Sequence, residues 1–276
     1  METGRSLEPV IVERSDSFTR IVLNRPASLN AMNVELLERL EFALRTNADA
    51  PAIVLAGNGR AFCVGEDLRE SLAPRTGQAE ELRTSLLAIQ EITRLITRLQ
   101  CPVIASVRGY AVGGGAELAL AADLIVADPT TRFRFPEVPL GHAPTGGVTA
   151  RLVAAVGLLR AKDYLLTGRW IDATEAVASG LVNEIVPDPD RRAAELADEL
   201  GRSPRRSMAA TKLGIELAAF PEQERILLSE VDAALHCFAA PEAAASSALF
   251  RTEHGSRDRA HPAESEAGAG FTAEGE

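Results

Sequence analysis

Ala105-Ser106-Val107-Arg108-Gly109-Tyr110-Ala111-Val112-Gly113-Gly114-Gly115-Ala116-Glu117-Leu118-Ala119-Leu120 runs from an apolar strand, through three adjacent glycines, into a helix. Val103 to Val107 reads as a buried strand, and the good helix formers from about Ala116 read as a helix. Three glycines in a row let the backbone take unusual dihedral angles and let another group approach closely. They also leave N–H groups at a helix N-terminus without intrahelical partners, a setting that suits developing negative charge. Glu117 falls in the first turn, where the helix dipole favours its ionised form. The segment thus offers anion donors beside a carboxylate base. A plain glycine turn packed on a neighbouring strand, with Glu117 compensating the dipole, would use the same residues.

Outward from this stretch, the 276-residue chain is 46% apolar, enough for one large domain with an extension. A formal charge of −10 argues against nucleic acid or an anionic membrane as the main partner. Its only lysines are Lys162 and Lys212, so contacts to phosphate fall to Arg and backbone N–H groups. Cys63, Cys101 and Cys237 are widely spaced and odd in number, which fits reduced thiols in a cytoplasmic protein and no zinc site. Neither a signal peptide nor a membrane span is expected, because no apolar run has the needed length or flanks.

In chain order, Val10 to Val12 and Phe18 to Leu23 read as strands around a polar Ser15-Asp16-Ser17 turn. A helix follows, with Val34, Leu36, Leu37, Leu40 and Ala43 at helical spacing, then a buried strand from Ala52 to Ala56. Ala79 to Leu99 is a long amphipathic helix whose buried face carries Leu82, Leu86, Ile89, Ile92, Leu95, Ile96 and Leu99. Ile125 to Ala127 and Arg132 to Phe135 read as short strands, and Pro136 and Pro139 forbid regular structure around Glu137. From Gly146 the chain turns helical, with a last strand at Val182 to Val186. Helices are expected near 190–201, 207–219, 222–238 and 241–251. Their apolar stripe (Leu213, Leu217, Phe220, Ile226, Leu227, Leu235, Phe238) suits packing on the chain itself or on another subunit. Past Arg251 the composition reads as disordered.

Glu137 has the opposite setting from Glu117. Among Phe135, Val138 and Leu140, desolvation raises a carboxyl pKa and favours the protonated form. Two carboxyls whose surroundings push their pKa values apart are candidates for a base and an acid. A Glu at a loop tip can equally project into solvent. A third loop, Cys63-Val64-Gly65-Glu66, puts a backbone N–H just after a glycine at a strand end. The Glu66 N–H could pair with that of Gly114 as a two-donor oxyanion hole.

Four segments together resemble the enoyl-CoA hydratase (crotonase) family. They are Asn24-Arg25-Pro26…Leu29-Asn30-Ala31, Ala61 to Leu68, Gly109 to Leu118, and Phe135 to Gly141. Thr167 to Ala173 and Ala178 to Asn183 match its later segments, so the likeness runs from about residue 8 to about 250. The resemblance implies an α/β fold, a crotonase-like spiral of ββα units with a C-terminal helical oligomerisation region, assembled as a homotrimer or a dimer of trimers. It divides the chain into a spiral core with the acyl-CoA site (1–198), a helical region (199–255) and a disordered tail (256–276).

The resemblance also implies an acyl-CoA thioester as substrate. Its carbonyl would rest on the N–H groups of Glu66 and Gly114, with Glu117 and Glu137 as catalytic carboxyls. Contacts to the acyl and CoA parts would come from Arg25, Ala27, Leu29, Ala61, Cys63, Val64, Gly65, Asp67 and Leu68. Tyr110, Val112, Gly113, Pro136, Leu140 and Gly141 would supply the remainder. Members that hydrate an enoyl thioester carry Glu at both positions, while members that only shift a double bond typically keep the second. Hydration of a 2-enoyl-CoA, or the reverse dehydration, is therefore the expected reaction. No metal or separate cofactor is expected, since coenzyme A enters with the substrate.

Alternatives are an isomerase using Glu137 alone and a non-catalytic acyl-CoA-binding or assembly protein. A serine hydrolase lacks its G-x-S-x-G, and Gly57-Asn58-Gly59 lacks the rest of a dinucleotide fingerprint. Ala27 and Arg69 stand where many relatives place Lys, and an acidic tail replaces a basic C-terminal segment, so the phosphate contacts are expected to differ. His142, close to Glu137, either tunes the acyl pocket or has a structural role.

Overall fold

The computed structural model describes residues 8–67 and 79–240. β1 (Val10–Arg14) and β2 (Thr19–Leu23) pair antiparallel around a turn in which the Ser15 hydroxyl donates to the Phe18 carbonyl at 2.8 Å. After β2 the chain makes a 3-10 turn at Pro26–Ser28 and then takes positive φ at Leu29 (55°) and Asn30 (57°). Asn30 accepts that conformation because its buried amide donates to the carbonyls of Asn58, Ala61 and Phe62. α1 (Val34–Thr46) starts at Asn33, whose side chain accepts from the Leu36 N–H at 3.0 Å. It buries Leu36, Leu37, Leu40, Ala43 and Leu44, while Val34 faces outward.

Two strand–strand–helix units then follow. The first is β3 (Ile53–Gly57), β4 (Ala61–Cys63) and α2 (Ala79–Arg98); the second is β5 (Val103–Val107), β6 (Tyr110–Val112) and α3 (Gly114–Leu120). β7 (Leu124–Ala127) and β8 (Arg132–Arg134) begin a third turn, completed by α4 (Val148–Val156) and α5 (Leu158–Thr167). In each unit the first strand joins one sheet and the second strand joins another, and this produces a spiral. The larger sheet has the order β1-β2-β3-β5-β7-β10, parallel except for β1–β2; the smaller has β4-β6-β8-β9. β9 (Ile171–Asp172), α6 (Ala173–Ser179) and β10 (Glu184–Ile185) close the two sheets; α7 (Pro189–Gly201) packs on the larger one, while α8 (Arg205–Ala219) packs on α2 and α9 (Gln223–Phe238) on α2 and α4.

Parallel strands covered on both faces read as continuous apolar runs, and every residue of β5 is buried. One face carries the main core of Leu23, Leu40, Leu55, Ile96 and Val103. The other, through Val54, Ile104 and Val126, is covered by Ala193 and Ala197 of α7. α8 is tied to this body by Lys212. Its buried ammonium donates to the Ile96 and Cys101 carbonyls and to Asp123 at 2.7 Å.

The long elements fall where the apolar spacing puts them. The two- and three-residue strands β4, β6 and β9 are too short for a period to register, so β8, expected at Arg132 to Phe135, is the one strand of the second sheet that the sequence reading finds. The C-terminal apolar stripe divides: Leu227 is buried inside the chain, whereas Leu213 and Leu217 of α8 are exposed. Cys63 and Cys101 are buried free thiols, and Cys237 is half-buried and free. Among the described residues no helix is long and apolar enough to cross a membrane. The helix expected near 241–251, the tail and Leu68 lie outside the described residues.

Candidate active site

Three loop ends meet at a cavity of about 130 Å³. The turn after β4 contributes Val64, Gly65 and Glu66, the glycine run contributes Val112, Gly113 and Gly114, and the loop after β8 contributes Pro136, Glu137 and Leu140. Because β4, β6 and β8 are parallel neighbours, their C-terminal ends deliver these loops side by side. Glu117, one turn into α3, completes the polar wall. Leu86, Ile89, His142, Ala143 and Phe238 make the apolar one.

The backbones in this cluster touch. A Cβ on Gly65 would come 2.8 Å from the Val112 carbonyl oxygen and 3.2 Å from the Gly114 nitrogen. A Cβ on Gly113, where φ is 52°, would lie 3.0 Å from Glu137 Oε1. α3 begins at Gly114, two residues before the Ala116 start expected from composition, so the Gly114 N–H is a first-turn donor of that helix.

Glu117 is 2% exposed. Its Oε1 accepts the Thr145 backbone N–H at 2.9 Å and its Oε2 accepts the Thr145 hydroxyl at 2.8 Å. The expectation that the helix end alone keeps this carboxyl low needs correction. Burial pushes it up to about 7, aided by the negative charges of Glu230 and Glu66, while the Thr145 bonds pull it down. Glu137 is raised further, to about 8, by burial and then by the charge on Glu117, with the nearby Arg134 guanidinium offsetting part. Its Oε2 is buried and has no hydrogen-bond partner among the described residues. Both carboxyls are therefore raised, where the sequence reading expects one held low and one high. The desolvating surroundings also differ from those expected, since Val138 turns outward at 42% exposure. A four-bond turn sets the loop, with Leu140 N–H donating to the Pro136 and Glu137 carbonyls, Gly141 N–H to the Val138 carbonyl and His142 N–H to the Glu137 carbonyl at 2.8 Å.

Other residues singled out in the sequence stand away from this cavity. Arg25 donates to the Asp67 carboxylate at 2.9 Å and to the Ala31 carbonyl, bracing the segment after β2 against the one after β4. Ala27 is exposed on the 3-10 turn and Leu29 follows it in the left-handed region. Ala61 and Cys63 are fully buried, and the Cys63 thiol, pushed up to about 12 by burial, donates to the Asn30 carbonyl. Tyr110 packs on Trp170 with ring centroids 5.8 Å apart, outside the cavity. Gly141 closes the Glu137 turn at φ 76°.

Thr145 and Glu230 escaped the sequence reading. A Thr ahead of Gly146-Gly147 is a weak signal, and Glu230 lies far along the chain in an ordinary helical pattern. His142 sits in the cavity wall with its ring 4.2 Å from that of Phe238, and burial lowers its pKa, which favours the neutral imidazole.

Two sheets wound from ββα units, with two carboxyls facing a cavity beside a glycine-run helix start, define a crotonase-type α/β protein. The enoyl-CoA hydratase/isomerase family matches residues 13–248. The short-chain-enoyl-CoA hydratase of Clostridium acetobutylicum is 32% identical over 238 residues, covering 84% of this chain and 90% of the relative. The crotonyl-CoA hydratase of Syntrophomonas wolfei is 34% identical over 241 residues, with the same coverage of 84% and 90%. The crystal structure of an enoyl-CoA hydratase/isomerase from Mycobacterium paratuberculosis superposes with a TM-score of 0.81 at 28% identity, over 88% of this chain and 98% of that one. The chain belongs to the enoyl-CoA hydratase/isomerase family.

Proposed function

We propose that this chain adds water across the 2,3 double bond of a 2-enoyl-CoA thioester, or removes it in the reverse direction. The observation that carries this reading is that the buried Glu117 and the half-buried Glu137, whose Oε2 is itself buried, line one cavity with Gly114 and Glu66. The names of the Clostridium and Syntrophomonas relatives support it.

When water attacks C3, charge moves through the conjugated system onto the thioester oxygen. The N–H groups of Glu66 and Gly114 act as donors to that oxygen, each contributing about 10²–10³ in rate. Glu117, ionised and held by Thr145, orients and deprotonates the water. Glu137, protonated, delivers a proton to C2. Each acid–base role is worth roughly 10²–10⁴. The carbonyl donors and the proton pair supply this chemistry without a further cofactor, and coenzyme A enters as part of the substrate. The Arg25 to Leu29 and Ala61 to Asp67 segments flank the CoA moiety.

A second carboxyl built into the cavity favours hydration over double-bond shift by Glu137 alone, and over a non-catalytic role. The assembly is a homotrimer or dimer of trimers, and exposed Leu213, Ile215 and Leu217 on α8 are available for it. The three free cysteines suit the cytoplasm.

The deciding experiment is hydration of crotonyl-CoA, read as loss of the thioester-conjugated absorbance. Glu117→Gln and Glu137→Gln should each lower kcat by at least about 10² while acyl-CoA still binds. Near-parental turnover by either variant, or rearrangement of a 3-enoyl-CoA by Glu117→Gln at the parental rate, overturns the assignment.

A further inference from the structure

The loop that holds Glu117 is itself held by a residue from the far end of the fold. Glu230, on α9, is 4% exposed and makes four hydrogen bonds, two on each oxygen. Oε2 accepts the Gly147 N–H at 2.7 Å and Gln90 Nε2 at 3.2 Å. Oε1 accepts the Thr149 N–H at 3.0 Å and the Thr149 hydroxyl at 2.6 Å. Gly147 is the residue before α4, so this carboxylate caps the start of that helix from outside it. On the other side of the loop, the Thr93 hydroxyl donates to the Gly146 carbonyl at 3.1 Å. Gly146 lies directly over the base: a Cβ there would come 2.7 Å from Glu117 Cβ and 2.8 Å from Glu117 Oε2. The path is therefore short, running from Glu230 to Gly147, through Gly146 to Thr145, and from Thr145 to both oxygens of Glu117.

We propose that Glu230 is a positioning residue for the reaction: it fixes the 145–149 loop from α9 and thereby sets the orientation of Glu117. A carboxylate suits this task because both oxygens must accept. An amide in its place leaves one donor pair, Gly147 and Gln90 or the two of Thr149, facing an NH₂ group. A buried donor without an acceptor draws the loop away from its place. A displacement of about 1 Å at a catalytic group lowers turnover about 10²-fold. The proposal rests on Glu117 being the base in the hydration above.

The test uses the full-length protein and crotonyl-CoA. Glu230→Gln should lower kcat roughly 10- to 100-fold with KM held within about twofold, because the CoA-side segments lie elsewhere. Glu224→Gln on the same helix, which loses only partly exposed ion pairs with Arg94 and Arg98, should leave kcat unchanged. In a double-mutant cycle with Thr145→Val, the Glu230→Gln effect should be strongly non-additive, since both act through the hold of Thr145 on Glu117. Thr149→Val, which removes one of the four donors, should give a smaller kcat loss in the same sense and covers the case in which Glu230→Gln does not fold. Full additivity with Thr145→Val, a fall in kcat matched by the unfolded fraction, or an unchanged kcat in Thr149→Val overturns the proposal. A wild-type protein inert towards every enoyl-CoA overturns the hydratase reading, and this inference with it. An active wild type whose Glu230→Gln variant behaves like Glu224→Gln overturns this inference alone.

Discussion

Thr145 gives Glu117 both of its donors, the backbone N–H to one carboxylate oxygen and the side-chain hydroxyl to the other, at 2.9 and 2.8 Å. Both bonds favour the ionised form, and in a buried site they offset the desolvation that raises this carboxyl. They also fix the plane of the carboxylate relative to the glycine run. Thr145 thus bears on both the ionisation and the direction of the base.

Thr145→Val keeps the backbone bond and the side-chain volume but deletes the hydroxyl. With one stabilising donor gone, the Glu117 carboxyl should rise further, so the acidic limb of kcat/KM moves to higher pH. Turnover at neutral pH should fall roughly tenfold. Thr145→Ser should restore both. A Val variant with an unmoved acidic limb would show that the hydroxyl does not hold the base.

The reactive state needs Glu117 without a proton and Glu137 with one. The carboxyls are raised to about 7 and about 8, and Glu66 and Glu230 add negative charge while Arg134 adds positive. Coupled groups titrate as a pair, so kcat/KM should follow a narrow bell whose two apparent pKa values belong to the pair. Its maximum should fall between about 7 and about 8, and crotonyl-CoA hydration across a buffer series locates it. A profile flat from pH 5 to pH 9 would contradict the pairing.

Glu137 also carries a stability cost with a defined sign. Its carboxyl titrates near the ordinary 4.5 when unfolded and near 8 when folded, so the folded chain keeps a proton that the unfolded chain releases. Stability therefore falls as pH rises from about 4.5 to about 8 and levels off above. Glu137→Gln removes this term and spares the buried, unpartnered Oε2 its charge. At pH 9 the variant should be more stable than the parent, by on the order of 1–3 kcal/mol, although it is catalytically poor. Thermal melts at pH 5 and pH 9 measure this; the two proteins should differ little at pH 5.

Much of this was legible in the residues, and the reason differs from part to part. α1 and α2 were readable because a helix with one buried face repeats its apolar residues over several turns. β5 was readable because both its faces are covered. Most of the second sheet was not, since three-residue strands such as β4 and β6 are held by parallel neighbours far along the chain rather than by their own pattern. Glu117 and Glu137 stood out because the helix start and the prolines around them are local features. Their mutual facing, the cavity wall from Phe238, and the Thr145 and Glu230 contacts are long-range, and no spacing within the chain encodes them. The reading of Val138 as part of the pocket failed for a related reason: a turn's outward and inward residues are set by its hydrogen bonds.

The three adjacent glycines look equivalent in sequence, and the structure separates them. A methyl group on Gly115 would lie 2.1 Å from the Cys63 carbonyl oxygen and 2.6 Å from its carbon, both backbone atoms of β4. Relief requires moving the strand that leads to Glu66, so Gly115→Ala should cost about 1–3 kcal/mol or more and widen the cavity. On Gly114 the nearest atom is the Met32 terminal methyl at 2.4 Å, and the next is 3.8 Å away. A flexible Met side chain can turn aside, and Gly114 does not need a positive φ. Gly114→Ala keeps its N–H, so it should fold and retain hydration within about tenfold of the parent, whereas Gly115→Ala should lose most activity along with stability. Denaturant midpoints measured beside crotonyl-CoA turnover for the two variants decide it. Equal damage from both would mean that the β4–α3 contact at Cys63 is not what the third glycine is for.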